Sequence, residues 1–287
     1  MTQYIQIISN PASGNYSSAK ITQLKAAFEQ QGAKVILSHS SESRAFVPAP
    51  DATLICVAGG DGTLRWVAEG LIAMAAPPPV FIYPMGTINL IARERDCTRN
   101  IETCVTNALK PARYAPAYPA QVNGAAFLAC VSVGPDSVAV AAHRAWFKER
   151  IGRFAYVIAL LEQLFDWPRA KITLTANGRE HNCEAFYVAK GRYYAGRWQV
   201  APHARMENPQ LHVVALKRAR RRDYLWFIIS LALNRVAQLS NVFEITTDTL
   251  TAHSDSYMAY PVQADGDSMT QLPLSISVAA RPLHLGA

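Results

Sequence analysis

The sequence predicts an α/β domain, a parallel sheet with flanking helices, followed by a β-rich, antiparallel, sandwich-like domain. Three observations predict it. The first third of the chain alternates apolar strand-like runs with segments of helical period. Beyond about residue 118 the texture changes to paired apolar runs joined by Asn-Gly dipeptides. The length of 287 residues suits two domains at about 150 residues each. The expected boundaries are 1–118 for the first domain, with the last residues, about 280–287, as candidates to return to it, and 119–280 for the second.

Strand candidates in the first third are Tyr4 to Ser9, Ala33 to Ser38, Thr53 to Ala58 and Val80 to Tyr83. Between the first two, Ile21, Leu24 and Phe28 fall on one helical face, and Gly32 stands where a helix C-cap would. After the third, Leu64, Val67 and Leu71 repeat that spacing until Pro77, Pro78 and Pro79 stop the helix. In the second part Asn123-Gly124 separates Pro119 to Val122 from Ala126 to Val133, and Asn177-Gly178 separates Lys171 to Ala176 from Glu184 to Ala189. Each is a hairpin candidate. Two helices interrupt the strands: one over Trp146 to Phe165, with Ile151, Phe154, Ala155, Ile158, Leu161 and Phe165 on one face, and one over Tyr224 to Leu239.

Composition narrows the class. Half the residues are apolar, 17% are charged and the net charge is +7, which excludes a disordered chain. Unbroken apolar runs such as Leu225 to Ile229 are far short of the about 20 residues of a spanning helix. The five cysteines, Cys56, Cys97, Cys104, Cys130 and Cys183, show no CxxC and no zinc spacing. They predict buried, reduced thiols in a cytoplasmic chain, and Met1 to Asn10 reads as a first strand with no export signal. Splitting the charge at residue 118 gives +2 before and +5 after, so the second domain is the more basic.

The sharpest local feature is Gly59-Gly60-Asp61-Gly62-Thr63, set between a buried strand and an amphipathic helix. Glycines at such a turn let backbone approach a bulky anion, and the first N–H groups of the helix favour phosphate. An acid inside an anion cradle makes sense if a divalent cation lies between Asp61 and the phosphates. A tight turn with a helix cap would use the same residues. Neither GxxxxGK[ST] nor GxGxxG occurs, which excludes the common P-loop and dinucleotide readings. Two more loops of small polar residues follow strands, Asn10-Pro11-Ala12-Ser13-Gly14-Asn15 and Pro84-Met85-Gly86-Thr87-Ile88-Asn89. Three loops after strands of one sheet would line one crevice.

With these motifs in hand, the chain resembles the catalytic domain shared by diacylglycerol kinases, sphingosine and ceramide kinases and related bacterial lipid kinases. NPASGN, GGDGT and PMGTINLIAR stand in that family's order, and VNGAAFLACVSVGPD, FYVAKGRYYAGRWQVAPHA and VQADGD look like its later segments. GGDG also occurs in NAD kinases and does not decide the substrate. The resemblance implies a nucleotide-binding domain and a β-rich domain with the active site in the cleft between them. It implies an ATP- and Mg²⁺-dependent lipid kinase acting on a diacylglycerol-like or long-chain lipid. ATP phosphates would meet Gly59, Gly60, Asp61, Gly62, Thr63, Gly86 and Thr87, with Asn10, Gly14 and Asn89 nearby. Asp61 and Asp136 would serve the metal, Asp136 through a water network, and Asp267 would be the base that takes the acceptor hydroxyl's proton.

Three departures accompany the resemblance. Asp265-Gly266-Asp267 stands where the family has DGE, which shortens the carboxylate by about 1 Å, enough in a positioned site to cost ~10²-fold. A surface β-turn would also use these residues. Met206-Glu207-Asn208-Pro209-Gln210 replaces an acidic pair with Gly, against the auxiliary metal site that some bacterial members build there. Ile88 replaces a small residue between Thr87 and Asn89.

Lys217 to Arg222 carries five positive charges in six residues and is followed by Tyr224, Leu225, Trp226, Phe227, Ile228 and Ile229. That order suits peripheral contact with the inner membrane surface. A solvated loop leading into a buried helix would read the same way. Nothing points to nucleic acid, since no recognised module is present. Two other readings stand beside the kinase: a nucleotide- or lipid-binding regulatory protein, and a kinase for a soluble acceptor.

Overall fold

In the computed structural model, which describes residues 3–41, 44–142, 169–255 and 260–286, the chain divides into two units. One comprises the residues up to Pro119 together with those from Ala279 on, and the other runs from Ala120 to Val278. The α/β domain and the antiparallel sandwich expected from the sequence are both present.

In the first unit β1 (Tyr4–Ser9) leads through α1 (Ser18–Gln30) to β2 (Lys34–His39), then to β3 (Leu54–Gly59), α2 (Asp61–Ile72) and β4 (Val80–Pro84). The short α3 (Leu90–Glu94), α4 (Ile101–Ala108) and β5 (Tyr114–Ala117) follow. A last strand, Leu283–Gly286, lies parallel to β4 and antiparallel to β5, so the sheet runs β2, β1, β3, β4, 283–286, β5. Every residue of β3 and β4 is buried, as a parallel sheet covered on both faces requires. Ile21, Leu24 and Phe28 of α1 and Val105 of α4 pack on Ile5, Ile7, Cys56 and Phe81. Gln31 caps α1, and Gly32 takes φ +80° just beyond it, where a left-handed residue closes a helix. The helix α2 stops at Ile72, five residues before the first of the three prolines that were expected to end it.

Among the described residues the second unit holds two six-stranded antiparallel sheets and a two-stranded ribbon, Tyr193–Ala195 with Trp198–Gln199. Its strands in chain order are β6 (Ala120–Val122), β7 (Ala125–Phe127), β8 (Cys130–Val133), β9 (Ile172–Ala176), β10 (Arg179–Cys183), β11 (Ala185–Ala189), β12 (Tyr193–Ala195), β13 (Trp198–Gln199), β14 (Leu211–Leu216), β15 (Val242–Thr247), β16 (Thr249–Ser254), β17 (Pro261–Ala264), β18 (Asp267–Gln271) and β19 (Leu274–Val278). Strand 283–286 of the first unit is thus β20. One sheet is ordered β10-β9-β16-β19-β6-β7 and the other β15-β14-β11-β8-β17-β18. Val122, Phe127, Leu174 and Ile276 of the first interleave with Val133, Phe186, Val188 and Val262 of the second to form the core. On the outer face of the second sheet, Tyr187, Val214 and Leu216 receive Tyr224, Phe227 and Leu231 of α6 (Arg221–Ala232). The short α5 (Pro135–Ala142) follows β8.

Both Asn-Gly turns are present, with φ positive at both residues: +49° and +86° at Asn123-Gly124, +51° and +71° at Asn177-Gly178. That geometry matches strand twist in a two-residue reversal. Three expectations are corrected. The run Ala126 to Val133 splits at Leu128-Ala129, with β7 in one sheet and β8 in the other. The partner of β9 across Asn177-Gly178 is β10, Arg-Glu-His-Asn-Cys, whose polarity suits an edge strand; 185–189 belongs to the opposite sheet. The last helix ends at Ala232 and not Leu239, because Asn234 turns left-handed at φ +54° and a short 3₁₀ turn, Val236–Gln238, carries the later apolar residues. The helix expected over Trp146 to Phe165 lies outside the described residues. All five cysteines are free thiols, and burial pushes Cys56, Cys97 and Cys183 up to about 12, which keeps them protonated and inert.

Candidate active site

The first unit's sheet reverses its winding between β1 and β3: the chain leaves β1 for β2 on one side and returns for β3 on the other. Ligands of open α/β sheets bind at that switch, beyond the carboxyl ends of the strands. Residues 10–15, 60–63 and 85–89 follow β1, β3 and β4, which are neighbours.

These loops are tied together. Asn10 Nδ2 donates to Thr63 Oγ1 at 3.1 Å, and Asn15 Nδ2 donates to the Gly86 carbonyl at 2.7 Å. Asn89, left-handed at φ +56°, accepts from Gly86 N at 2.8 Å and donates back to its carbonyl at 2.7 Å. Gly60 and Gly86 touch backbone to backbone: a Cβ on Gly86 would lie 2.5 Å from the Gly60 Cα. A Cβ on Gly59 would lie 2.6 Å from Thr63 Oγ1, and one on Gly14 the same distance from Thr87 Oγ1. Gly14, Gly62 and Thr87 are exposed, while Thr63, Gly86 and Asn89 are buried. The exposed three form the rim, and the buried ones hold it.

Asp61 is the first residue of α2, and its carboxylate reaches across to the third loop. Oδ2 accepts from Leu90 N at 2.9 Å and Oδ1 from Ile91 N at 3.1 Å, so it fixes the start of α3. Sequence reasoning missed this capping role because Leu90 and Ile91 carry no polar side chain to signal it. It also missed Lys20 and Arg99, which with Asn15, Tyr83, Pro84 and Met85 line a depression of about 50 Å³ beside the same loops.

The other two acids that the resemblance names lie in the second unit, described by itself. Asp136 sits in the first turn of α5, partly buried, and accepts hydrogen bonds from Ser132 Oγ at 2.5 Å, Tyr187 OH at 3.3 Å and Tyr194 OH. Burial raises its pKa from the ordinary carboxylate value, against the pull of the Ser132 and Tyr194 hydroxyls. Burial also raises Tyr187, Tyr194 and Tyr224 well above the usual phenol value, which keeps all three as donors. Tyr187 OH lies 2.8 Å from Tyr224 OH on α6.

From Asp136 a chain of hydrogen bonds runs to the turn that carries Asp267. Gln263 Nε2 donates to Ser132 Oγ at 2.9 Å, and Gln263 Oε1 accepts from Gly266 N at 2.9 Å. Asp265, at φ +49°, accepts from three successive amides, Leu128 at 2.8 Å, Ala129 at 2.9 Å and Cys130 at 3.0 Å. This anchors the turn and breaks the strand run between β7 and β8. Asp267, partly exposed, opens β18 opposite Ala264. Asp136 and the Asp265 to Asp267 turn, well over a hundred residues apart, therefore belong to one network.

The segment Met206 to Gln210 receives a lysine side chain from elsewhere in the unit. Lys190, fully buried, donates from Nζ to the carbonyls of Asn208 at 2.7 Å and Gln210 at 2.9 Å. Burial pulls its ammonium down to about 8, against the attraction of Glu207.

The residues suit the groups that the sequence implies. The Gly60 to Gly86 contact leaves bare backbone where a polyphosphate must approach closely, and the N-terminus of α2 faces the same loops. Among the described residues no three His, Cys, Asp or Glu side chains converge as a metal cluster. A Mg²⁺ shared with phosphates requires only one or two carboxylates, a need that Asp61 fits. The three hydroxyls on Asp136 favour a hydrogen-bonding part over direct ligation.

Comparison with known proteins bears on the family and the fold. The family model for the diacylglycerol kinase catalytic domain matches residues 5–115, and that for the YegS C-terminal NAD kinase beta sandwich-like domain matches residues 129–286. A diacylglycerol kinase of Bacillus subtilis is 25% identical over 240 residues, covering 77% of this chain and 76% of its own. One of Staphylococcus carnosus is 24% identical over 225 residues, covering 78% and 72%. The crystal structure of a diacylglycerol kinase from Bacillus anthracis superposes with a TM-score of 0.74 at 19% identity, over 99% of this chain and 96% of that one.

Proposed function

The chain belongs to the diacylglycerol kinase family, with a YegS-type sandwich as its second unit, and is a phosphotransferase with an alcohol group as acceptor; from that premise we propose that it transfers the γ-phosphate of ATP to the hydroxyl of a diacylglycerol-like or long-chain lipid. The observation that carries the reading is the close approach of Gly60 and Gly86, which packs two loops at the sheet's switch point against each other with no room for a side chain between them.

Each residue then has a defined task. The α2 N-terminus at Gly62 and Thr63, with Thr87 and Gly14 at the rim, binds the phosphates. Asn10, Asn15 and Asn89 keep the loops in register, with Gly59 packed on Thr63. Asp61 is the carboxylate that would hold Mg²⁺, and in the second unit Asp136 has the water-mediated part. When bound, the cation neutralises charge on the transferring phosphoryl group. Asp267 accepts the proton of the acceptor hydroxyl, and the chain from Asp136 through Ser132 and Gln263 to Gly266 steadies the turn that bears it.

A lipid acceptor puts the reaction at a membrane surface. Among the described residues no helix is long and apolar enough to cross one. The contact is peripheral and is made through the Lys217 to Arg222 region.

The test is transfer from γ-labelled ATP to a panel of lipids in mixed micelles, with nucleotide binding measured in parallel. The wild type is expected to label a lipid. Asp267→Ala should lose on the order of 10² to 10⁴ in turnover with ATP still bound, and Asp267→Glu should restore it. Asp61→Asn should weaken the binding of ATP with Mg²⁺ as well. ATP binding without transfer to any lipid, unchanged in Asp267→Glu, would identify a regulatory binding protein instead. Equal turnover with and without an interface would identify a soluble acceptor.

A further inference from the structure

At the carboxyl ends of β1 and β4, Asn15, Lys20, Tyr83, Pro84, Met85 and Arg99 line a depression of about 50 Å³. Lys20 comes from the start of α1 and Arg99 from the segment just before α4. Both are exposed, and among the described residues neither side chain has an ion pair or a hydrogen bond. Tyr83 OH donates to the Arg99 carbonyl at 3.2 Å, which fixes the backbone that bears this arginine. No carboxylate lines the depression. The chain up to residue 118 has a net charge of only +2, so two cations gathered without an acid are not a sample of a generally basic surface.

This depression and the N-terminus of α2 lie on different faces of the sheet. The chain passes from β1 to β2 in one direction along the sheet and from β3 to β4 in the other, so right-handed crossovers put α1 and α2 on opposite faces. Tyr83 and Met85 belong to the core under α1 and α4, which contains no residue of α2. Between the two faces stands Asn15. Its backbone N–H donates to the Met85 carbonyl at 2.9 Å and its Nδ2 to the Gly86 carbonyl at 2.7 Å. Asn15 thus lines the depression and also holds the loop that abuts Gly60.

We propose that Lys20 and Arg99 form a binding site for a single phosphate group, separate from the nucleotide loops and back to back with them through Asn15. An arginine fork meets two oxygens of a phosphate at once, and a lysine ammonium meets a third as a point charge. The depression, set against about 30 Å³ for one molecule of liquid water, suits a group of phosphate size, whereas pockets that take a drug-sized ligand run to roughly 300 Å³ or more. A metal cation is repelled by the same two charges. The ligand is inorganic phosphate or the phosphomonoester head of a small molecule, which present the same oxygens. The inference stands apart from the lipid-kinase reading, since it needs only a phosphate and the residues that line the depression.

The experiment titrates the full chain with inorganic phosphate and, separately, with glycerol phosphate, each with ADP held at saturation, and reads binding by phosphorus NMR line width and by calorimetry. Phosphate is expected to bind with a Kd on the order of 1 mM. Tighter binding of glycerol phosphate would support the site with a phosphomonoester as its ligand, and tighter binding of phosphate would support it with the free anion. Lys20→Gln and Arg99→Gln should each weaken binding at least about ten-fold while keeping the melting temperature, since both side chains are exposed. Arg99→Lys should recover part of the loss, because it restores the charge and not the fork. Asp61→Asn should bind phosphate like the wild type even where its hold on ATP with Mg²⁺ is weakened, so a failure of this site and a failure of the nucleotide reading are separate results. Displacement of phosphate by ADP would put the anion in the nucleotide loops and overturn the proposal. So would affinity unchanged in both glutamine variants, chloride displacing phosphate at equal concentration, or no binding up to about 10 mM phosphate.

Discussion

Lys190 is a cation buried without a carboxylate bound to it, its charge met by two backbone carbonyls and the more distant Glu207. Its ammonium falls from the ordinary 10.5 to about 8, so between those values the unfolded chain holds a proton that the folded one has released. Stability therefore rises with pH through that window, and the lysine is a liability below it. The difference in unfolding free energy between wild type and Lys190→Met should shift in favour of the wild type from pH 8 to 10.5, measured by denaturant titration. A flat difference would mean that the ammonium is not desolvated.

Among the elements, the three loops are tied directly to each other. A methyl group on Gly86 would lie 2.5 Å from Gly60 Cα and 2.7 Å from Asn89 Oδ1, too close for either backbone to stay. Gly86→Ala is expected to weaken ATP binding at least about ten-fold and to cost ~1–3 kcal/mol of stability, by calorimetry and thermal melting. Gly124→Ala, at φ +86° in a hairpin turn with open space around it, should lower stability and leave nucleotide affinity alone. The loops were legible in the sequence because glycine clusters after strands carry their own signal, and so were the Asn-Gly turns, whose residues tolerate positive φ. What escaped was whatever is set by a distant partner. Asp265 reads as a turn residue, and only the fold brings it to the amides of Leu128 to Cys130. Ser132, Gln263 and the tyrosines around Asp136 look like ordinary strand residues. The polar β10 is missing from the expected strands because an edge strand shows too little alternation, and Val236 and Leu239 imitated a helix that Asn234 had already ended.

At the scale of the whole molecule the sandwich is an insertion: the chain leaves the α/β sheet after β5 and re-enters it as β20, between β4 and β5. Leu283 and Leu285 of that strand are buried, and Arg95 Nη2 donates to the Leu285 carbonyl at 3.0 Å. Removing the residues from Ala279 on should therefore unfold the nucleotide unit and abolish ATP binding while the far-UV signal of the sandwich persists, a comparison that circular dichroism and calorimetry make directly. Retention of ATP affinity in the truncated chain would show that β20 is dispensable. The same topology fixes an order of events on the ribosome. The residues made first wait, with the flanks of β4 and β5 unpaired, until the entire sandwich has emerged and the final strand is released. The α/β half is thus the longest exposed to misassociation during synthesis, and the insertion, whose strands all come from one continuous stretch, is the part free to fold while translation is still under way.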